Sequence, residues 1–153
     1  MTHQSHTIRL HAAFLTACAG GSVAQSMILW GGSLARFLPP LPVLCIAAVF
    51  GAAVAGSICA GALGRRGVRG WVLMACMWPA ITALGAGIAV MPMGVMEFSP
   101  HTSAAVQAVV EAAALGWLAV ADGILTSLPV TVVWLLSGAM IHMALRQQRS
   151  VTT

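Results

Sequence analysis

Four long apolar runs separated by short polar seams dominate the chain. Leu10–Ala35 (26 residues), Leu41–Gly64 (24), Gly70–Met96 (27) and Gly123–Leu145 (23) contain no Asp, Glu, Lys or Arg. A helix of about 20 apolar residues crosses the hydrocarbon of a bilayer, so each run is long enough to span with some tilt. Backbone in lipid must satisfy its own hydrogen bonds, which selects helices over isolated strands. The alternating segments of roughly ten residues that mark a membrane barrel do not occur. The pattern predicts an all-α, polytopic integral membrane protein with four transmembrane helices over 10–35, 41–64, 70–96 and 123–145. Residues 10–145 form a single domain flanked by tails at 1–9 and 146–153.

The stretch "HTSAAVQAVVEAAALGWLAVAD", residues 101–122, fits this scheme less simply. Ser103, Gln107 and Glu111 recur every four residues and share one helical face, with Asp122 on the same side. Val106, Val109, Val110, Ala113, Trp117 and Val120 take the other side. That is the amphipathic pattern of an interfacial helix. "FSPHTS" supplies a turn with Ser103 as helix cap, and the "DG" at 122–123 is a turn signal. The expectation is an amphipathic interfacial or re-entrant helix over about 103–121, with a fifth span as the alternative.

Charge favours the first arrangement. All seven basic residues are arginines, at positions 9, 36, 65, 66, 69, 146 and 149. Five spans would divide them four to three across the membrane. Four spans divide them six to one, with only Arg36 outside, as the positive-inside rule prefers. Both termini are then cytoplasmic, and the three acids, Glu97, Glu111 and Asp122, lie together on the outer side.

Composition agrees: 59% of residues are apolar and 7% charged, against about 25% charged in a soluble domain. The net charge of +4 comes from arginines that flank apolar runs, where they contact anionic lipid. No basic face or aromatic platform indicates nucleic acid. Abundant Ala and Gly, with Arg and no Lys, suits a bacterial inner membrane.

Small residues are placed with regularity. Ala52, Gly56, Ala60 and Gly64 make a smooth ridge on the second span, and Ala13, Ala17 and Gly21 repeat it on the first. Such ridges let helix backbones approach closely in lipid. They serve packing within the chain or a face for another subunit or a second copy. Pro79 and Pro129 are expected to kink the third and fourth spans.

Residues with chemical potential are sparse. Met91, Met93, Met96 and His101 form a soft-ligand cluster that could take Cu(I), with apolar filling as the plainer role of the methionines. His11 and His142 lie at matching depth on the first and last spans, where two imidazoles could hold a haem iron or simply reach the interface. Glu97, Glu111 and Asp122 could bind a cation or form a solvated acidic face. Cys18, Cys45, Cys59 and Cys76 lack the CxxC spacing of zinc or thiol-exchange sites. "LTAC" at 15–18 resembles a lipoprotein cleavage site, but the apolar run continues past it and favours an uncleaved span.

No nucleophile–base spacing indicates an enzyme, and no cofactor is expected. The expected function is that of a small non-catalytic membrane protein, an accessory subunit packing against partner helices. An oligomeric transporter or channel for a soft metal ion or another small solute is the alternative.

Overall fold

A computed structural model describes residues 2–31, 41–96 and 102–151. Side-chain surroundings are described from 6 to 31, from 42 to 89 and over most of 106–150. The described chain forms five helices: α1 (Thr2–Trp30), α2 (Leu41–Cys59), α3 (Gly67–Met96), α4 (Thr102–Thr126) and α5 (Leu128–Val151). Four of them are long and apolar enough to cross a membrane, over His6–Trp30, Pro42–Cys59, Gly67–Ala89 and Leu128–Ser150. α4 offers only the shorter apolar stretch Ala113–Thr126. The protein is therefore an all-helical, polytopic membrane protein.

Backbone contacts fix the order in space. α1 and α2 run antiparallel, because Thr16 faces Gly56 and Gly20 faces Ala48 and Ala52. A methyl placed on Gly20 would meet the Ala52 Cβ at 2.6 Å and the Ala48 carbonyl oxygen at 2.7 Å. α2 and α3 are antiparallel as well, with Gly51 set against Gly85 and Ala89. α5 returns along α3, placing Gly138 against Met74 and Trp78, and Leu145 against Gly64. Small residues thus draw the helices together along every one of these seams.

Two clusters of buried side chains mark the two ends. One unites Ala12, Ala60, Leu63, Met74, Ile141 and Leu145. It joins the start of α1, the α2–α3 turn and the end of α5; we call this the arginine end. The other holds Val23, Met27, Ala119 and Val130 and defines the far end. α4 follows the far end of α3, passes Gly87 at Ala113, and brings Gly123 onto Met27 and Val130. It therefore begins and finishes at the far end, leaning from α3 towards α1 and α5. The helix predicted over 103–121 is an interfacial or re-entrant helix of this kind, and the start of α1 and the end of α5 share one end of the bundle.

Several boundaries differ from those expected. α1 starts at Thr2 and α5 reaches Val151, so most of each predicted tail is helical. Arg and Gln are good helix formers whose stems lie along apolar surface. α2 stops at Cys59, short of Gly64, because Gly64 takes φ 71° in a tight turn that only glycine adopts readily. The Asp122–Gly123 pair does not end α4. The Ser127 N–H still donates to the Gly123 carbonyl oxygen (3.1 Å), and Gly123 is needed where Met27 packs closely.

The break falls instead at Ser127, two residues before Pro129, which lacks an N–H and restricts Leu128. Pro129 therefore lies in the first turn of α5, where the missing donor leaves no helix bond unmade, and it does not kink the body of that helix. The Thr131 N–H and hydroxyl both donate to the Ser127 carbonyl oxygen at 3.0 Å, stitching the junction. α3 runs through Pro79 as one continuous helix.

Candidate functional site

Three places combine shape with polar groups: a chamber inside the bundle, a buried histidine at the arginine end, and the outward face of α4.

The chamber has a volume of about 80 Å³ and receives residues from all five helices. Its wall is largely Ala and Gly from α1, α2 and α3, and Gly116 and Val120 of α4 contribute to it. Trp78 and Trp134 also line it, with ring centroids 6.3 Å apart. The Trp78 indole N–H donates to the Trp134 carbonyl oxygen (3.0 Å). The Trp134 indole N–H donates to the Thr82 hydroxyl (2.8 Å), which itself donates to the Trp78 carbonyl oxygen (2.9 Å). This closed set satisfies both indoles, as buried polar groups in lipid require. Thr16 also lines the chamber and donates its hydroxyl to the Ala12 carbonyl oxygen (2.7 Å). The surface left facing the void is almost wholly apolar.

At the arginine end His142 is completely buried. Its Nδ1 accepts a long hydrogen bond from the Gly64 N–H (3.4 Å), and its ring lies 4.5 Å from that of Trp71. Nε2 is buried without a hydrogen-bond partner among the described residues. His11, by contrast, is exposed, and its Nδ1 pairs with the Thr7 carbonyl oxygen at 3.0 Å. One ring is enclosed and the other lies on the surface, so the two do not face a common cleft as a shared haem iron would require. Depth along the span is visible in sequence, whereas the side of the helix on which each ring projects depends on packing.

The small-residue ridge on α2 is used inside the chain. Gly56 packs on Thr16 and Ala52 on Gly20. Ala60 is buried, and its carbonyl oxygen accepts from the Arg149 guanidinium (2.9 Å). Gly64 lies against Leu145. The α1 side of the seam is one residue out of register with expectation: Thr16 and Gly20 make the close contacts, while Ala13 and Ala17 are half-buried. Threonine fits this seam because its hydroxyl bonds back to its own helix.

α4 turns Gly116, Ala119 and Gly123 to the bundle. The valines and tryptophan expected on its packing face point away instead, with Val106 63%, Val110 62% and Trp117 51% exposed. Small residues win the inward face because α4 lies close to its neighbours. Further round the outward side, the Gln107 amide donates to the Glu111 carboxylate (2.8 Å), and Glu111 is exposed. Leu115, Leu118 and Leu125 share that side at 41%, 49% and 84% exposure, and half-buried Asp122 lies among them.

Met91, Met93 and Met96 belong to the last turns of α3, and their side chains lie outside the described detail, as do Glu97 and His101 altogether. Among the described residues no group of three or more His, Cys, Asp or Glu is placed to hold a metal ion. The four cysteines are free thiols.

No family model matches the chain, and no curated protein or solved structure is similar to it beyond chance. What the fold defines is a class: an all-helical membrane protein of four spanning helices with a fifth, interfacial or re-entrant one.

Proposed function

We propose that this protein is a non-catalytic accessory subunit of a membrane assembly and docks through the outward face of α4. The observation that carries this reading is the mixture on that face. Leu115, Leu118 and Leu125 alternate with Gln107, Glu111 and Asp122. In lipid, an acid near the bilayer centre costs about 3 kcal/mol. In water, each leucine forgoes much of the 1.5–3 kcal/mol, roughly, that full burial brings. Either medium suits only half of the face. A protein surface that offers apolar contact and a basic or hydrogen-bond-donating group suits all of it.

The ridges on α1 and α2 supply no such surface, being covered within the chain. The arginine distribution supports placing both termini in the cytoplasm, and α4 on the outer side of a bacterial inner membrane. The alternative of a small-solute carrier draws on the chamber. Of its lining residues, one thioether (Met27) and no carboxylate are present, a poor cage for a soft cation.

Site-directed photo-crosslinking in living cells tests the docking reading. A photoreactive residue at Leu118 is expected to give a discrete protein adduct, either with a partner or with a second copy. The same residue at Val132, on the exposed side of α5, gives lipid adducts only. Glu111→Lys should reduce the Leu118 adduct. Lipid adducts alone at Leu118 would remove the proposal.

A further inference from the structure

The arginine end carries a second surface, unrelated to α4. Arg65, Arg66 and Arg69 lie in and just after the α2–α3 turn, and Arg146 and Arg149 lie in the last turns of α5. All three acids of the chain fall within residues 97–122, towards the far end. Five guanidinium groups are thus gathered without a carboxylate of this chain beside them.

They are not equivalent. The Arg65 Nε–H donates to the Gly61 carbonyl oxygen (3.1 Å), and the Arg149 guanidinium donates to that of Ala60 (2.9 Å). These two serve the carbonyl groups left open where α2 ends, a favourable place for a cation. Arg66 and Arg146 instead line a groove of about 310 Å³ together with Met143, Gln147 and Ser150. That volume lies at the lower limit of the usual range for small-molecule sites.

The α5 residues of the groove fall at intervals of three and four and so form one stripe, ordered by depth. Met143, 52% exposed, lies nearest the hydrocarbon. Arg146 and Gln147 come one turn further out, and Ser150 one turn beyond. Arg66 faces them from the turn. An apolar floor, then two guanidinium forks, then an amide and a hydroxyl reproduces in order the acyl chain, phosphate and polar headgroup of a phospholipid. Guanidinium is the side chain best shaped to hold phosphate oxygens in pairs.

We propose that the groove formed by Arg66, Met143, Arg146, Gln147 and Ser150 is a binding site for a phosphate ester, supplied by an anionic glycerophospholipid of the adjoining leaflet. This reading stands apart from docking through α4, since it concerns the opposite end of the bundle.

Native mass spectrometry of the full chain released from nanodiscs tests it. Phosphatidylglycerol is compared with phosphatidylcholine, and inorganic phosphate is the soluble competitor. Phosphatidylglycerol should be retained and phosphatidylcholine should not. Arg66→Gln with Arg146→Gln should lower that retention by about thirtyfold, as the loss of two guanidinium contacts predicts. Arg9→Gln with Arg69→Gln removes the same charge elsewhere and should leave retention near that of the unaltered protein. Gln147→Ala, which preserves every charge, should weaken retention without changing the melting temperature.

Displacement of the lipid by millimolar inorganic phosphate would keep the site and identify its source as soluble phosphate. Equal retention of the two lipids would overturn the proposal. So would an equal loss in the Arg9 and Arg69 variant, which would reduce the effect to net charge.

Discussion

Gly51→Ala is the sharpest test of the packing described here, because what the new methyl meets is backbone. It would be driven into the Gly85 carbonyl oxygen and would lie 3.0 Å from the Ala89 nitrogen and 3.1 Å from the Gly85 carbonyl carbon. Comfortable contact needs about 3.5 Å or more, so α2 and α3 must part by roughly 1 Å. A gap of that size forfeits up to about half of each contact along the seam. Overpacking of this sort costs about 1–3 kcal/mol. The gain in helix propensity on replacing Gly by Ala returns at most about 1 kcal/mol.

The net loss is about 1–2 kcal/mol, or roughly a five- to thirtyfold fall in the folded-to-unfolded ratio. Gly61→Ala is the control. Gly61 is exposed, and a methyl there meets nothing within 4 Å. Reversible unfolding in mixed micelles, followed by circular dichroism, should show Gly51→Ala clearly destabilised and Gly61→Ala unchanged or slightly stabilised. Equal stability of the two variants would refute the close approach of α2 to α3.

The same assay checks three further expectations. Gly64→Ala combines a positive φ of 71° with a methyl 2.7 Å from the Leu145 backbone; it should cost more than Gly67→Ala, where φ is 76° but space is open and strain alone amounts to about 1–2 kcal/mol. Thr82→Val leaves the Trp134 indole N–H without its acceptor and should cost about 1–3 kcal/mol, while Thr82→Ser restores most of that; equal losses in the two would show that the methyl, not the hydroxyl, matters. Pro129→Ala, in the first turn of α5, should shift stability by no more than about 0.5 kcal/mol, and a larger change would mean that the proline shapes the helix body.

Where sequence and structure agree, the physics is one-dimensional. Uninterrupted apolar length identifies the spanning helices, and the six-to-one division of arginines places both ends together, as the contacts of Ala12 and Leu145 in one cluster do independently. Where they part, the missing quantity is azimuth. His11 and His142 have the right depth, but packing turns one outward and encloses the other.

On α4 the amphipathic pattern correctly marks a helix that does not run from one end of the bundle to the other. It misassigns the inward face, because hydrophobicity in lipid does not say which side meets protein. Size does: Gly116, Ala119 and Gly123 face the bundle, and Val106, Val110 and Trp117 do not. The Asp-Gly pair read as a turn is overridden for the same reason, since Gly123 is used for its small size. A smallness pattern traced along α4 would have located the packed face in advance. The Trp78–Thr82–Trp134 set has no such signal, because it joins residues more than fifty positions apart.

The central claim is that α4 starts and ends on one side of the membrane, so that the chain crosses four times. Single-cysteine accessibility in sealed vesicles measures this directly, with Cys18, Cys45, Cys59 and Cys76 replaced by alanine. Ser5→Cys and Ser150→Cys should react with a membrane-impermeant maleimide from one side, and Gln107→Cys from the other. Labelling of Ser5→Cys and Ser150→Cys from opposite sides would contradict the account.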